Sequence, residues 1–136
     1  MRAALAICLL ALALAACGAA APSNSAEEFS GAERAVAAAV ENVEDAAREN
    51  DARRLCTTLL SEKLLATLKE QGTNCTTAVR EAFNDASSTD LTVEDVTISG
   101  DTATAKVTSG SGSNEKTDTL QLEKAGTGWR ISSLQS

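Results

Sequence analysis

Residues 91–108 read LTVEDVTISGDTATAKVT, and this stretch decides the fold. Its apolar residues recur at every second position, a pattern typical of strands with one buried face. Gly100-Asp101 supplies a two-residue turn of the kind that favours β-hairpins. The alternation slips at Glu94-Asp95, which predicts a β-bulge in the first strand. On the second strand, Ala103, Ala105 and Val107 are expected to point towards the core.

The chain after this hairpin continues the same pattern. A third strand is predicted over about 116–124, with Leu120 and Leu122 facing inward. The turn Ala125-Gly126-Thr127-Gly128 leads into a fourth strand over 129–134. Residues 91–134 are therefore predicted to form a four-stranded antiparallel meander.

The chain before the hairpin has helical periodicity instead. Val36, Val40, Val43 and Ala47 form an apolar stripe on a helix over about 30–50, and Glu44-Asp45 is expected on its solvated face. Shorter helices are predicted to begin at three residues suited to N-caps, Asp51, Ser61 and Asn74. Because helices and strands are segregated along the chain, we predict an α+β fold with three to four N-terminal helices packed on the C-terminal sheet.

Two motifs carry a family resemblance. GDTATA at 100–105 and GWRISSL at 128–134, taken with the order of elements, resemble the nuclear transport factor 2-like superfamily. The resemblance covers roughly residues 30–136 and is strongest to small secreted or lipid-anchored members from high-GC Gram-positive bacteria. It implies a curved sheet that wraps around a long helix as a cone. The superfamily includes isomerases and cyclases with an acid or base inside the cone, and many non-catalytic domains, so the fold alone does not assign a function.

The N-terminus has the pattern of an export signal. Arg2 precedes an uncharged apolar run from Ala3 to Ala16, which as a helix would span only about 21 Å, too short to cross a bilayer. The run ends in Leu14-Ala15-Ala16-Cys17, which resembles the lipobox of bacterial lipoproteins. We therefore predict that residues 1–16 are a signal peptide that is removed, and that lipid on Cys17 holds the protein on the extracytoplasmic face of the cell membrane. The alternative is an ordinary secretory signal with an accidental thiol at Cys17.

The predicted processing divides the chain into three segments. They are the signal peptide at 1–16, the lipidated cysteine with a flexible tether at 17–29, and a single α+β domain at 30–136. The mature chain retains Cys56 and Cys75 besides Cys17. Since disulfides persist outside the cytoplasm, and both residues lie on apolar helix faces, we predict that they are bonded. The alternative is two buried free thiols.

Composition excludes several kinds of chemistry. Without residues 1–16 the chain has 120 residues, 11 basic and 19 acidic, for a formal charge of −8. This net negative charge argues against nucleic-acid binding. The sequence contains no His and no Tyr, which removes imidazole bases and His-based metal sites, and two cysteines are too few for structural zinc. No cofactor or metal is predicted.

The remaining candidate site residues are Asp95 and Trp129. A buried Asp95 at the bulge could act as a base, although the residues favour an exposed acidic pair that marks the irregularity. Trp129 could stack on a ligand at the mouth of a pocket, although packing between sheet and helix is the favoured role. We therefore predict a non-catalytic, membrane-anchored domain that binds a partner protein or a small apolar ligand. The competing hypothesis is an enzyme of the isomerase or dehydratase type that uses a pocket carboxylate.

Overall fold

The computed structural model describes residues 24–86 and 88–135. Within these residues four α-helices precede the strands: α1 Gly31–Arg48, α2 Ala52–Arg54, α3 Glu62–Glu70 and α4 Cys75–Asp85. A π-helical turn, Leu55–Leu59, continues α2, and short 3₁₀ turns occur at Ser25–Glu28 and Gly112–Asn114. Four strands follow: β1 Leu91–Ser99, β2 Thr102–Ser109, β3 Lys116–Ala125 and β4 Gly128–Gln135. They form one antiparallel sheet in the order β1-β2-β3-β4, which confirms the α+β prediction.

The three predicted N-caps are confirmed by their hydrogen bonds. The Asp51 carboxylate accepts from the Arg54 backbone N–H at 2.9 Å, and the Ser61 hydroxyl accepts from that of Leu64 at 3.2 Å. The Asn74 side chain accepts from Thr76 at 3.0 Å and from Thr77 at 3.4 Å. Each cap satisfies amide groups that the first helical turn leaves without a partner.

The hairpin and its bulge form where the sequence predicts them. Gly100 takes the left-handed conformation with φ of 60°, so Ser99 and Thr102 pair across a two-residue turn. The register of β1 against β2 shifts between Val93 and Asp95, which leaves Glu94 as the extra residue of the bulge. This shift keeps both Val93 and Val96 on the buried face of the sheet.

The core lies between α1 and one face of the sheet. Val36 and Val40 of α1 are fully buried, as is Ala105 on β2. The predicted inward residues of β2 and β3 are all buried: Ala103, Ala105, Val107, Leu120 and Leu122.

One prediction about α1 is wrong. Glu44 is not solvated, because only 1% of its surface is exposed. Arg48 compensates its charge, with 2.7 Å between Arg48 Nη2 and Glu44 Oε1, and the same nitrogen lies 2.8 Å from Asp90 Oδ1. The arginine thus allows a carboxylate to enter the core beside the valines of α1.

The folded domain begins before the predicted boundary at residue 30. Ser25 and Ala26 are buried in the first 3₁₀ turn. The Ser25 hydroxyl accepts a hydrogen bond from the Val93 backbone N–H at 3.1 Å, and the Ala26 N–H donates to Glu41 Oε1 at 2.8 Å. The last part of the segment predicted as tether is therefore docked on β1 and α1, because it supplies partners for their polar groups.

The opposite edge of the sheet is also covered. Leu60 forms an isolated parallel bridge with Ile131, and the Ser61 backbone N–H donates to the Ile131 carbonyl at 2.8 Å. The segment that joins the π-helical turn to α3 therefore lies along β4. This contact brings α3 next to the apolar face of the sheet.

Candidate functional site

An apolar pocket of about 560 Å³ lies between the α3–α4 pair and the sheet. On the helical side its walls are formed by apolar residues of α3 and α4: Leu64, Leu68, Ala78, Val79, Ala82 and Phe83. The sheet contributes residues from all four strands: Leu91, Val107, Asp118, Leu120 and Ile131. Val43, Leu55 and Leu60 complete the lining. Its volume lies within the range of about 300–1,000 Å³ that is typical of small-ligand sites.

The pocket exists because α3 and α4 pack loosely on the rest of the domain. None of the nine residues of α3 is buried, and in α4 only Val79 is buried. Both helices are nevertheless amphipathic, with leucines on one side of α3. Ala78 and Ala82, one turn apart on α4, line the pocket with short side chains that leave its volume unfilled.

A disulfide fixes the position of the α4 wall. Cys56 in the π-helical turn is bonded to Cys75, the first residue of α4, with 6.1 Å between their Cα atoms. The predicted pairing is confirmed. The bond ties the N-terminal end of α4 to the buried segment that contains Leu55 and Leu59.

Asp118 is the one charged side chain among the described residues that line the pocket. It lies two residues before Leu120 on β3, on the same face, and is half-buried. Sequence analysis missed this residue although the signal was present. Leu120 and Leu122 point inward because side chains alternate along a strand. The same two-residue period, continued from Leu120 towards the start of β3, also places Asp118 inward.

The two predicted pocket residues are not brought together. Asp95 lies on β1, and its side chain is exposed at the bulge, which agrees with the exposed acidic pair that the sequence favours. Trp129 lies on β4, at the other edge of the sheet. Neither residue lines the apolar pocket.

Trp129 instead lines a second, smaller cleft. Only 9% of its surface is exposed, and it forms part of the wall of a cleft of about 310 Å³ between α1 and β4. The α1 side of this cleft consists mainly of small residues, Ala35, Ala38 and Ala39. Trp129 is thus buried as part of the hydrophobic core, which agrees with the packing role favoured from the sequence.

Cys17 and the predicted signal peptide lie outside the described residues. Within 24–86 and 88–135, no helix is both long and apolar enough to cross a membrane. The same residues contain no cluster of three or more His, Cys, Asp or Glu side chains arranged to hold a metal ion.

Comparisons with family models, with curated proteins and with solved structures find no match to this chain. The nuclear transport factor 2-like resemblance therefore stays a prediction, and the chain's own geometry carries the functional argument.

Proposed function

We propose that this protein is a membrane-anchored extracytoplasmic lipoprotein whose domain binds a small apolar ligand without catalysing a reaction. The observation that carries the proposal is the pocket between α3–α4 and the sheet. Thirteen of its fourteen lining residues are apolar. Removing apolar ligand surface from water there provides a driving force of about 25 cal/mol per Å².

The sequence supports the anchor part of the proposal. Leu14-Ala15-Ala16-Cys17 stands at the end of a short apolar run near the N-terminus, where a lipobox is expected. Because its net charge is negative, the protein has little electrostatic attraction for an anionic membrane, and its attachment would depend on the acyl chains.

The finer fold assignment is also a proposal. Four helices before a four-stranded meander, with α1 packed across the sheet, agree with the order of elements in nuclear transport factor 2-like domains. In that fold the space between helices and sheet is where ligands bind. The position of the apolar pocket supports this assignment.

The composition of the pocket favours binding over catalysis. An isomerase of the competing type needs a base and a second group that stabilises the charge that develops on its substrate. Asp118 could serve as a base, but the other described lining residues supply no hydrogen-bonding side chain. Asp95, the base considered from the sequence, lies outside the pocket and is exposed.

Filling the pocket tests the proposal. We expect the neutral fluorophore N-phenyl-1-naphthylamine to bind the purified domain saturably, with one site per chain. Ala78→Phe places a ring at a half-buried lining position and should weaken this binding at least about tenfold, since the ligand and the ring compete for the same volume.

Ala66→Phe is the matched control. Ala66 lies on the neighbouring helix α3, is exposed and does not line the pocket, so this variant should bind the fluorophore as the wild type does. Circular dichroism would establish that both variants are folded. Absence of saturable binding to the wild type, or equal weakening by both variants, would contradict the proposed function.

A further inference from the structure

Asp118 has a carboxylate that the domain does not neutralise. Among the residues that the structure describes, no hydrogen bond or ion pair involves its side chain. Lys116 precedes it by two residues on the same face of β3, but is exposed and forms no ion pair with it. The carboxylate is therefore available to a group that enters the pocket.

The environment of Glu44 provides a comparison within the same molecule. Glu44 is a buried carboxylate that has its own counter-charge, Arg48 at 2.7 Å. Asp118 is half-buried among apolar side chains and has no such partner in the described part of the chain. A partly desolvated charge beside an apolar surface favours a ligand that brings the opposite charge.

Asp118 lies directly beside apolar residues of the pocket lining. It lies near the start of β3, opposite Val107 of β2, and the lining continues along β3 to Leu120. A ligand that contacts these residues together would present an apolar body to Val107 and Leu120 and a polar end to Asp118. The polar end would be a cation or a strong hydrogen-bond donor.

The overall charge favours the cation. The chain has a formal net charge of −7, so an anionic amphiphile such as a fatty-acid carboxylate would meet repulsion both from Asp118 and from the protein as a whole. The volume of about 560 Å³ is in the lower half of the usual range for ligand sites, which favours one hydrocarbon chain over two.

We propose that the ligand is a single-chain amphiphile with a cationic head group, whose chain lies on the apolar walls and whose ammonium group pairs with Asp118. This inference rests on the proposed function, since it assumes that the pocket binds a ligand. It adds the chemical class of that ligand and identifies Asp118 as the residue that determines specificity.

Three decyl compounds that differ only in their head group test the inference. Decylammonium, decanol and decanoate would each be used, at neutral pH and low salt, to displace N-phenyl-1-naphthylamine from the wild-type domain. Decylammonium should bind about tenfold more tightly than decanoate. The partly exposed carboxylate of Asp118 attracts the ammonium group and repels the carboxylate head group. Added salt should reduce this preference.

Asp118→Asn should remove most of the preference for decylammonium over decanoate and leave only the salt-sensitive part that the net charge of the protein causes, while decanol binding stays unchanged. The matched control is Asp101→Asn, which removes the same charge from the exposed β1–β2 turn, outside the pocket, and should keep the wild-type preference. The comparison of the three decyl compounds on the wild-type domain, and its dependence on salt, does not require that any variant folds.

The outcomes separate this inference from the proposed function. Equal binding of all three compounds to the wild type, or tighter binding of decanoate, would overturn the inference and leave the apolar site standing. A preference for decylammonium that is as large in Asp118→Asn as in the wild type would overturn the role of Asp118. Failure of any decyl compound to displace the fluorophore would overturn the inference and the proposed function together.

Discussion

At the scale of single residues, two carboxylates of this domain have contrasting environments. Glu44 is buried within the core and is compensated by Arg48, which also reaches Asp90 in the segment before β1. Asp118 is half-buried in the pocket lining without a described partner. The first arrangement stabilises the fold by joining α1 to the segment before β1, and the second leaves a charge for recognition.

The stability contribution of Arg48 can be measured. Removing one partner of a buried ion pair costs about 3–5 kcal/mol, and the partial exposure of Arg48 reduces this to roughly 2 kcal/mol. Arg48→Met should therefore lower the free energy of unfolding by about 2 kcal/mol in urea denaturation. Arg53→Met, at an exposed position on α2, should change it by less than about 0.5 kcal/mol.

A double variant identifies the cause of that loss. If the cost comes from leaving the Glu44 charge without Arg48, then adding Glu44→Gln to Arg48→Met should recover part of the lost stability. If Arg48→Met and Arg53→Met lose the same free energy of unfolding, or if the double variant recovers none of it, the ion pair contributes little to stability.

At the scale of elements, α4 is held by a covalent bond more than by burial. Only Val79 of this helix is buried, yet α4 supplies four residues to the pocket wall. The disulfide between Cys56 and Cys75 attaches its first residue to the core. The wall can therefore remain in place without the close packing that would remove the pocket.

Reduction of this disulfide should destabilise the domain. A bond that closes a loop of this length, with a sequence separation of 19, contributes on the order of 3 kcal/mol, because it restricts the unfolded chain. Urea denaturation with and without dithiothreitol should show this difference for the wild type. The double variant Cys56→Ala/Cys75→Ala should be insensitive to dithiothreitol, and a wild type equally insensitive would contradict the prediction.

The elements were largely predictable from the sequence because their signals are local. The caps at Asp51, Ser61 and Asn74 act within three residues, and the bulge at Glu94 is visible as a slip in a two-residue period. The burial of Glu44 was not predictable in this way. Its counter-charge Arg48 also pairs with Asp90, which is 42 residues away along the chain.

The candidate site was predictable only in part, and for a different reason. Asp118 could have been placed on the inner face from the alternation that places Leu120 there. The pocket itself depends on how far α3 and α4 stand from the sheet, and no local pattern encodes that distance. Asp95 and Trp129 were considered for their chemistry, and the sheet order places them at opposite edges.

At the scale of the whole molecule, the proposed anchor and the proposed pocket belong to different parts of the chain. Cys17 lies before the described residues, and the pocket is built entirely from residues after α1 begins. Attachment and ligand binding should therefore be separable. Each can be removed by a substitution that leaves the other intact.

Cys17→Ser tests the anchor. We expect it to abolish incorporation of labelled fatty acid into the protein and to leave the precursor uncleaved by the lipoprotein peptidase, since the modified thiol is lost. Ala78→Phe, which affects only the pocket, should be labelled and located in the membrane fraction as the wild type is. Continued labelling of Cys17→Ser would contradict lipidation at this residue.

The docking of Ser25 on β1 limits how far the pocket can lie from the membrane to which we propose that Cys17 is anchored. Ser25 is hydrogen-bonded to Val93 and lies eight positions after Cys17, so the chain between Cys17 and Ser25 spans at most about 28 Å when fully extended. Leu91 of the pocket lining lies two residues from Val93 on the same strand. With Cys17 lipidated, as we propose, this wall of the pocket would be held close to the membrane, where the effective concentration of membrane-borne amphiphiles is high. Exchange between bilayer and pocket would then be limited by dissociation rather than by diffusion.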